Sequence, residues 1–204
     1  MESEFFSFKT WFLKSIPVIA CLIFFFISIS SGIWIYLKNH QICHLNDAMR
    51  CFEALEQEII SSNDEKNFRI KTAIEFLRDN YGDTIYSAIG VLISAQAFHI
   101  SKNFDNAYEE LVWLSKQERH GVFQYIARLR LANLLLDEKR WNDALCQLEN
   151  PPIEFSSIFF DRAGDIFIAQ GNKEDARNSW NNALSKLNEK DELYSVIKLK
   201  IHSL

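Results

Sequence analysis

Only six of the 204 residues are glycine, so the chain is poor in the loops that cradle phosphates on bare backbone. It has no G-x-x-x-x-G-K-[ST] loop, no G-x-S-x-G elbow and no H-E-x-x-H pair, each of which would mark a known chemistry by its spacing. No block of lysines and arginines occurs, and the formal charge is −5. Nucleic acid is therefore not an expected partner, because binding it means neutralising phosphates with clustered cations. The four cysteines, Cys21, Cys43, Cys51 and Cys146, form no disulfide framework. Cys43 and Cys51 lie eight apart on one helical stretch, too far along its axis to bridge. A bridge from Cys146 to either of them stays open. Isolated cysteines at helical positions read first as small buried hydrophobes.

What is present is dominated by one feature. From Ser15 to Leu37 the chain runs through SIPVIACLIFFFISISSGIWIYL without a charge. At about 1.5 Å per residue such a helix spans a hydrocarbon core of roughly 30 Å. Lys14 and Lys38 bracket the run, Trp11, Trp34 and Tyr36 fall at its interfaces, and Pro17 sits in the first turn, where its missing N–H is harmless. The competing reading is a cleaved signal peptide processed near Ser28, Ser30 and Ser31. The run is too long for an h-region and continues through Trp34 to Leu37, which favours a retained anchor. Lys9 and Lys14 on one side compete with Lys38 and Arg50 on the other, so charge does not set the orientation. The boundaries expected are a tail over 1–14, a transmembrane helix over 15–37 and a folded domain over 38–204.

The domain reads as all-α, with no strand pattern after the anchor. Ile42, Leu45, Met49, Phe52, Leu55 and Ile59 recur at three- and four-residue steps and predict one helix face. The cluster Ser61 to Asp64 ends that helix. A second amphipathic stretch through Phe68, Ala73, Ile74 and Leu77 closes at Asn80, Tyr81 and Gly82, with Asp83 or Thr84 to cap the next helix. Three later segments superimpose on a shared alanine: NFDNAYEEL at Ala107, RWNDALCQL at Ala144 and NKEDARNSW at Ala176. The spacings of 37 and 32 bracket the period of about 34 of tetratricopeptide repeats. Twelve residues before each alanine stand Ala95, Ala132 and Gly164. Nine before stand Phe98, Leu135 and Phe167, and four after stand Leu111, Leu148 and Trp180. Small residues let two antiparallel helices approach, large ones fill the flanks, and polar turns at 102–103, 139–140 and 171–172 reverse the chain. The rival is an irregular helical bundle. Pro151 and Pro152 mark the end of the second repeat, and 42–77 reads as a degenerate first one.

Candidate chemistry is thin. His40 and His44 flank Cys43 on one helical face, but no third or fourth metal ligand is evident, and juxtamembrane histidines facing headgroups are the more economical reading. His99, His120 and His202 are isolated, and the acidic residues fall in turn and outer-face contexts. No cofactor and no catalytic residue are expected. A stack of helix pairs instead offers a concave face, which the register predicts to display Gln96, His99, Asn133, Leu136, Asp165 and Ile168, bordered by Ile89, Ile126 and Ile158. Such a groove can take an extended or helical peptide. Alternatively, the isoleucines pack internally and the polar groups are merely solvated.

The order of short tail, one span, degenerate helix pair, SAIGVLISAQAF with NFDNAYEEL, ARLRLANLLLDEKRWNDAL, DRAGDIFIAQGNKEDARNSWNNAL and a final IKLKIHSL resembles the YfgM family, ancillary subunits of the bacterial SecYEG translocon. The resemblance covers almost the whole chain and is closest from Ala127 to Leu204. It implies a cell inner-membrane protein with its N-terminus cytoplasmic and its repeat domain periplasmic. The implied partners are the SecYEG translocon, the membrane-anchored periplasmic chaperone PpiD and the exported polypeptides passed onward to chaperones. The departure from this picture is the set of cysteines on the periplasmic side, which an oxidising compartment exposes to chemistry unless they are buried.

Overall fold

A computed structural model describes residues 2–61 and 65–204, with side chains described from residue 24 onward. Among these residues there is no strand. The helices are α1 (Glu2–Ile60), α2 (Lys66–Tyr81), α3 (Ile85–Ile100), α4 (Phe104–Ser115), α5 (Val122–Asp137), α6 (Trp141–Gln147), α7 (Ser156–Ala169), α8 (Lys173–Leu184) and α9 (Glu192–His202). Short 3-10 turns at Glu118–His120 and Ile153–Phe155 lead into α5 and α7. The chain divides into two compact units, Met1–Asp47 and Ala48–Leu204.

In the first unit, every side chain from Phe24 to Leu37 is exposed. These include Phe24, Phe25, Phe26, Ile33, Trp34 and Tyr36, so this stretch is apolar on all sides. The Lys38 ammonium lies 5.1 Å from the centre of the Trp34 ring. Residues 15–23 of the apolar run, Cys21 with them, fall outside the described side chains, as does the tail over 1–14. Among the described residues, no helix is long and apolar enough to cross a membrane.

The second unit is built from helix pairs. Helices α3 with α4, α5 with α6 and α7 with α8 pack as neighbours, and α3 touches α5 as α5 touches α7. The repeat register is the cause. Ala107, Ala144 and Ala176 are fully buried, and Leu111, Leu148 and Trp180 four residues on are nearly so. Ala95, Ala132 and Gly164 are buried at the facing position, with Phe98 and Leu135 beside them, while Phe167 is half-buried. The irregular-bundle alternative does not survive this agreement.

The turns agree as well. Lys102, Lys139 and Gly171 occupy the left-handed region at φ 58°, 61° and 82°. After each, an N–H reaches back across the helix end: Asn103 to the Phe98 carbonyl at 2.8 Å, Arg140 to Leu135 at 2.8 Å and Asn172 to Phe167 at 2.9 Å. A shorter bond runs inside it from Lys102 to His99, Lys139 to Leu136 and Gly171 to Ile168. All three are Schellman motifs, which satisfy the last carbonyls of the first helix while reversing the chain. Asn103 and Asn172 then cap the second helix through their side chains.

The first pair departs from expectation in detail. On α1 the fully buried residues are Ala48 and Leu55, whereas Ile42, Leu45 and Met49 are exposed; the hydrophobic period marks a face wider than the one the neighbours cover. On α2, Ile70, Ile74 and Leu77 are buried and Phe68 is 70% exposed. Thr84 caps α3, accepting from the Ser87 N–H. At the other end, α9 packs on α8 by seating Leu193, Ile197, Ile201 and Leu204 in a small core with Ala176, Trp180 and Ala183. Cys43 and Cys146 are exposed, free thiols, and Cys51 is half-buried. The expectation of buried cysteines therefore fails at Cys43 and Cys146, and neither possible bridge from Cys146 forms.

Candidate functional site

The first helices of successive pairs stand side by side, so their free faces form one surface. On α5, Arg130, Asn133 and Asp137 lie three and four residues apart and share a face. On α3, Gln96 and His99 do the same. Together they line a cavity of about 350 Å³ floored by Ala107 and Leu111 of α4. Arg130 is half-buried; its Nη1 donates to the Leu92 carbonyl at 2.9 Å, and burial pushes its pKa down. Among the described residues no carboxylate pairs with it. His99 Nε2 lies 3.4 Å from Asp137 at the rim, with its ring edge-on to Phe104. Asn133 is half-buried, and its Oδ1 is enclosed with no hydrogen-bond partner.

Of the six residues the register placed in the groove, Gln96, His99 and Asn133 meet in this cavity. Leu136 is half-buried against the core. Asp165 is engaged elsewhere: it accepts from Lys200 of α9 at 2.7 Å and from Arg162 at 3.3 Å. Ile168 stands at the surface of α7. Of the bordering isoleucines, Ile89 and Ile126 are half-buried and Ile158 is 40% exposed. Sequence reasoning missed Arg130 and Asp137, although their spacing from Asn133 puts them on its face.

A second polar cluster lies inside the fold. Glu110 of α4 is 2% exposed, against the expectation that acidic residues occupy turns and outer faces. It accepts from Arg78 of α2 at 2.9 Å. Burial pushes its pKa up to about 7, with Arg78 opposing the rise. The Arg78 guanidinium lies over the Trp113 ring at 5.3 Å, while Glu110 Oε2 and Arg78 Nε have no partner. Among the described residues, no three His, Cys, Asp or Glu side chains gather closely enough to hold a metal ion.

Helix pairs closed by one turn type and stacked through one small-residue register define a helical repeat protein of the tetratricopeptide kind. The chain belongs to the tetratricopeptide repeat-like domain family, which matches residues 9–204. Among its relatives are proteins named ancillary SecYEG translocon subunit. The one from Neisseria gonorrhoeae is 24% identical over 71% of this chain and 69% of its own length. Those of Aggregatibacter actinomycetemcomitans and Buchnera aphidicola are 24% and 26% identical, over 89% and 73% of this chain and 87% and 76% of their own.

Proposed function

We propose that the protein is a single-pass membrane subunit associated with the SecYEG translocon, working by binding rather than catalysis. In this reading residues 15–37 anchor it in the inner membrane with the tail over 1–14 in the cytoplasm. The domain over 38–204 then stands in the periplasm, beside PpiD, and helps pass exported polypeptides to periplasmic chaperones. The observation that carries the reading is the union, in one chain, of translocon-subunit relatives with an exposed stretch that is apolar all round. A helix with no polar face is at home only in a core or a bilayer. The anchor's contribution is positional, since it holds the groove of Gln96, His99 and Asn133 near emerging chains and raises their effective concentration.

Two measurements test this. Solubilised in mild detergent, the tagged protein should co-purify with SecYEG and PpiD. Protease added to spheroplasts should remove the domain ending at Leu204. A domain that stays protected until the membrane is broken would place it in the cytoplasm and end this proposal in favour of an unrelated adaptor.

A further inference from the structure

We propose that the outer face of the first helix pair, where α1 and α2 meet, is the contact through which two copies of this chain pair about a twofold axis, their α2 helices crossing at Thr72.

The two ends of the stack are finished differently. At the far end α9 covers α8, seating Leu193, Ile197 and Ile201 against Trp180. On the first pair, Phe68 is 70% and Phe76 53% exposed. Beside them runs a furrow of about 480 Å³, whose apolar lining includes Cys51 and Ala54 of α1 and Ala73 of α2. The end pairs of a repeat array normally turn a polar face outward, so this apolar one calls for a cover.

Shape argues that the cover is a second copy. Phe68, Thr72 and Phe76 stand four residues apart on α2 and form one ridge, large, small, large. Two ridges of this spacing pack by crossing at about −50°, and a crossing at Thr72 brings the helices together at the smallest of the three. The Thr72 hydroxyl donates to the Phe68 carbonyl at 3.1 Å, so its burial strands no polar group. On either side of the crossing, the rings of one copy lie over the small residues of the other copy's furrow. The face thus supplies both a ridge and the furrow that receives it, which is what a twofold contact requires.

Charge narrows the choice further. The furrow carries one charge of each sign, Glu58 of α1 and Arg69 of α2, 3.2 Å apart. An acidic or a basic partner is attracted by one and repelled by the other. A twofold-related copy sets Arg69 against Glu58 twice over, and a guanidinium has donors to spare for both. The two rings expose on the order of 250 Å², taking roughly 200 Å² for a whole phenylalanine, against the ~800 Å² per partner of a standard interface. The pairing is therefore weak and depends on concentration. Confinement to one membrane, as proposed above, favours it, but the contact itself does not depend on that reading.

The test uses the full chain in mild detergent, at concentrations set by the experimenter. Its mass by sedimentation should rise from one copy to two as concentration increases. Phe68→Asp and Phe76→Asp alter exposed rings and leave the core intact, and each should weaken pairing by about tenfold or more. With the four native cysteines replaced by alanine, Thr72→Cys should form an intermolecular disulfide on mild oxidation. Lys186→Cys, exposed beyond α8, should not. Glu58→Arg gives a face with two cations and Arg69→Glu one with two anions. Neither should pair with itself, and an equimolar mixture of the two should pair at about wild-type strength. A chain that stays single at every concentration, with no disulfide at Thr72→Cys, overturns the proposal and leaves the face to a helix of another protein. Pairing that persists undiminished in Phe68→Asp runs through some other surface and overturns it as well. Charge variants that pair with themselves as readily as with each other overturn the twofold arrangement.

Discussion

Gly164 and Trp180 pack directly against each other, the indole filling the space where a Cβ on Gly164 would lie. A Cβ placed on Gly164 would lie 2.5 Å from Trp180 Cδ1 and closer still to the indole nitrogen. The other pairs set alanine against leucine there, Ala95 with Leu111 and Ala132 with Leu148. The third pair exchanges both partners, a larger side chain being accommodated by a smaller one. The indole also donates to the Asp161 carbonyl at 3.2 Å.

Gly164→Ala is therefore expected to cost roughly 1–3 kcal/mol by overpacking, despite alanine's better helix propensity. Adding Trp180→Leu should recover a measurable part of that loss. Chemical unfolding of the four proteins of the cycle, in detergent, measures the coupling; additive losses would mean that the two residues do not oppose each other.

The left-handed turn residues give a prediction of opposite sign. Lys102 and Lys139 adopt a conformation that costs an L-residue about 1 kcal/mol, whereas Gly171 adopts it freely. Lys102→Gly and Lys139→Gly should each stabilise the domain by about 0.5–1 kcal/mol, additively, and Gly171→Ala should destabilise it. Thermal midpoints read all three.

Glu110 makes stability depend on pH. Its folded pKa of about 7 stands above the ordinary carboxylate value of 4.5, so the folded state holds the proton more tightly than the unfolded one. Its stabilising contribution is complete below the unfolded pKa and is lost as pH rises through the folded one. The loss amounts to roughly 3 kcal/mol. The difference in unfolding free energy between wild type and Glu110→Gln should run in that direction between pH 4.5 and 7 and then level off. A flat difference would show that Arg78 keeps the carboxylate charged throughout.

Helix α9 is held by Lys200, which donates to Asp161 at 2.8 Å and Asp165 at 2.7 Å and lies over the Trp180 ring. Lys200→Met takes the cation from the buried Asp161 and leaves Asp165 with Arg162 alone. Hydrogen exchange should quicken by about tenfold or more within Glu192–His202, corresponding to a loss of about 1.5 kcal/mol, with α3 to α6 unchanged.

The repeat architecture was legible because small residues at a helix crossing are a packing requirement, and Ala107, Ala144 and Ala176 display it at nearly equal spacing. The three turns at 102–103, 139–140 and 171–172 were legible as polar breaks, but only Gly171 marked the left-handed conformation they share, since a lysine bears no sign of a left-handed φ. That Gln96, His99 and Asn133 share one cavity was legible from register alone. Arg130 escaped notice because a charge on a helix reads as solvated until a neighbouring helix buries it. Asp165 was misplaced for a related reason: its partner, Lys200, is 35 residues away and belongs to a helix outside the repeat register. The exposure of Cys43 and Cys146 was likewise invisible, because a helical period gives a face but not what covers it.

The common turn has a consequence for how such a chain changes over generations. Lys102 and Lys139 end their helices in the same backbone state with the same two hydrogen bonds. Excising Asn103 through Lys139 would join Lys102 directly to Arg140, leaving a complete turn and one helix pair fewer, and copying the segment would add a pair by the same join. The turns are thus the seams of the molecule, where length can be edited without inventing a new loop.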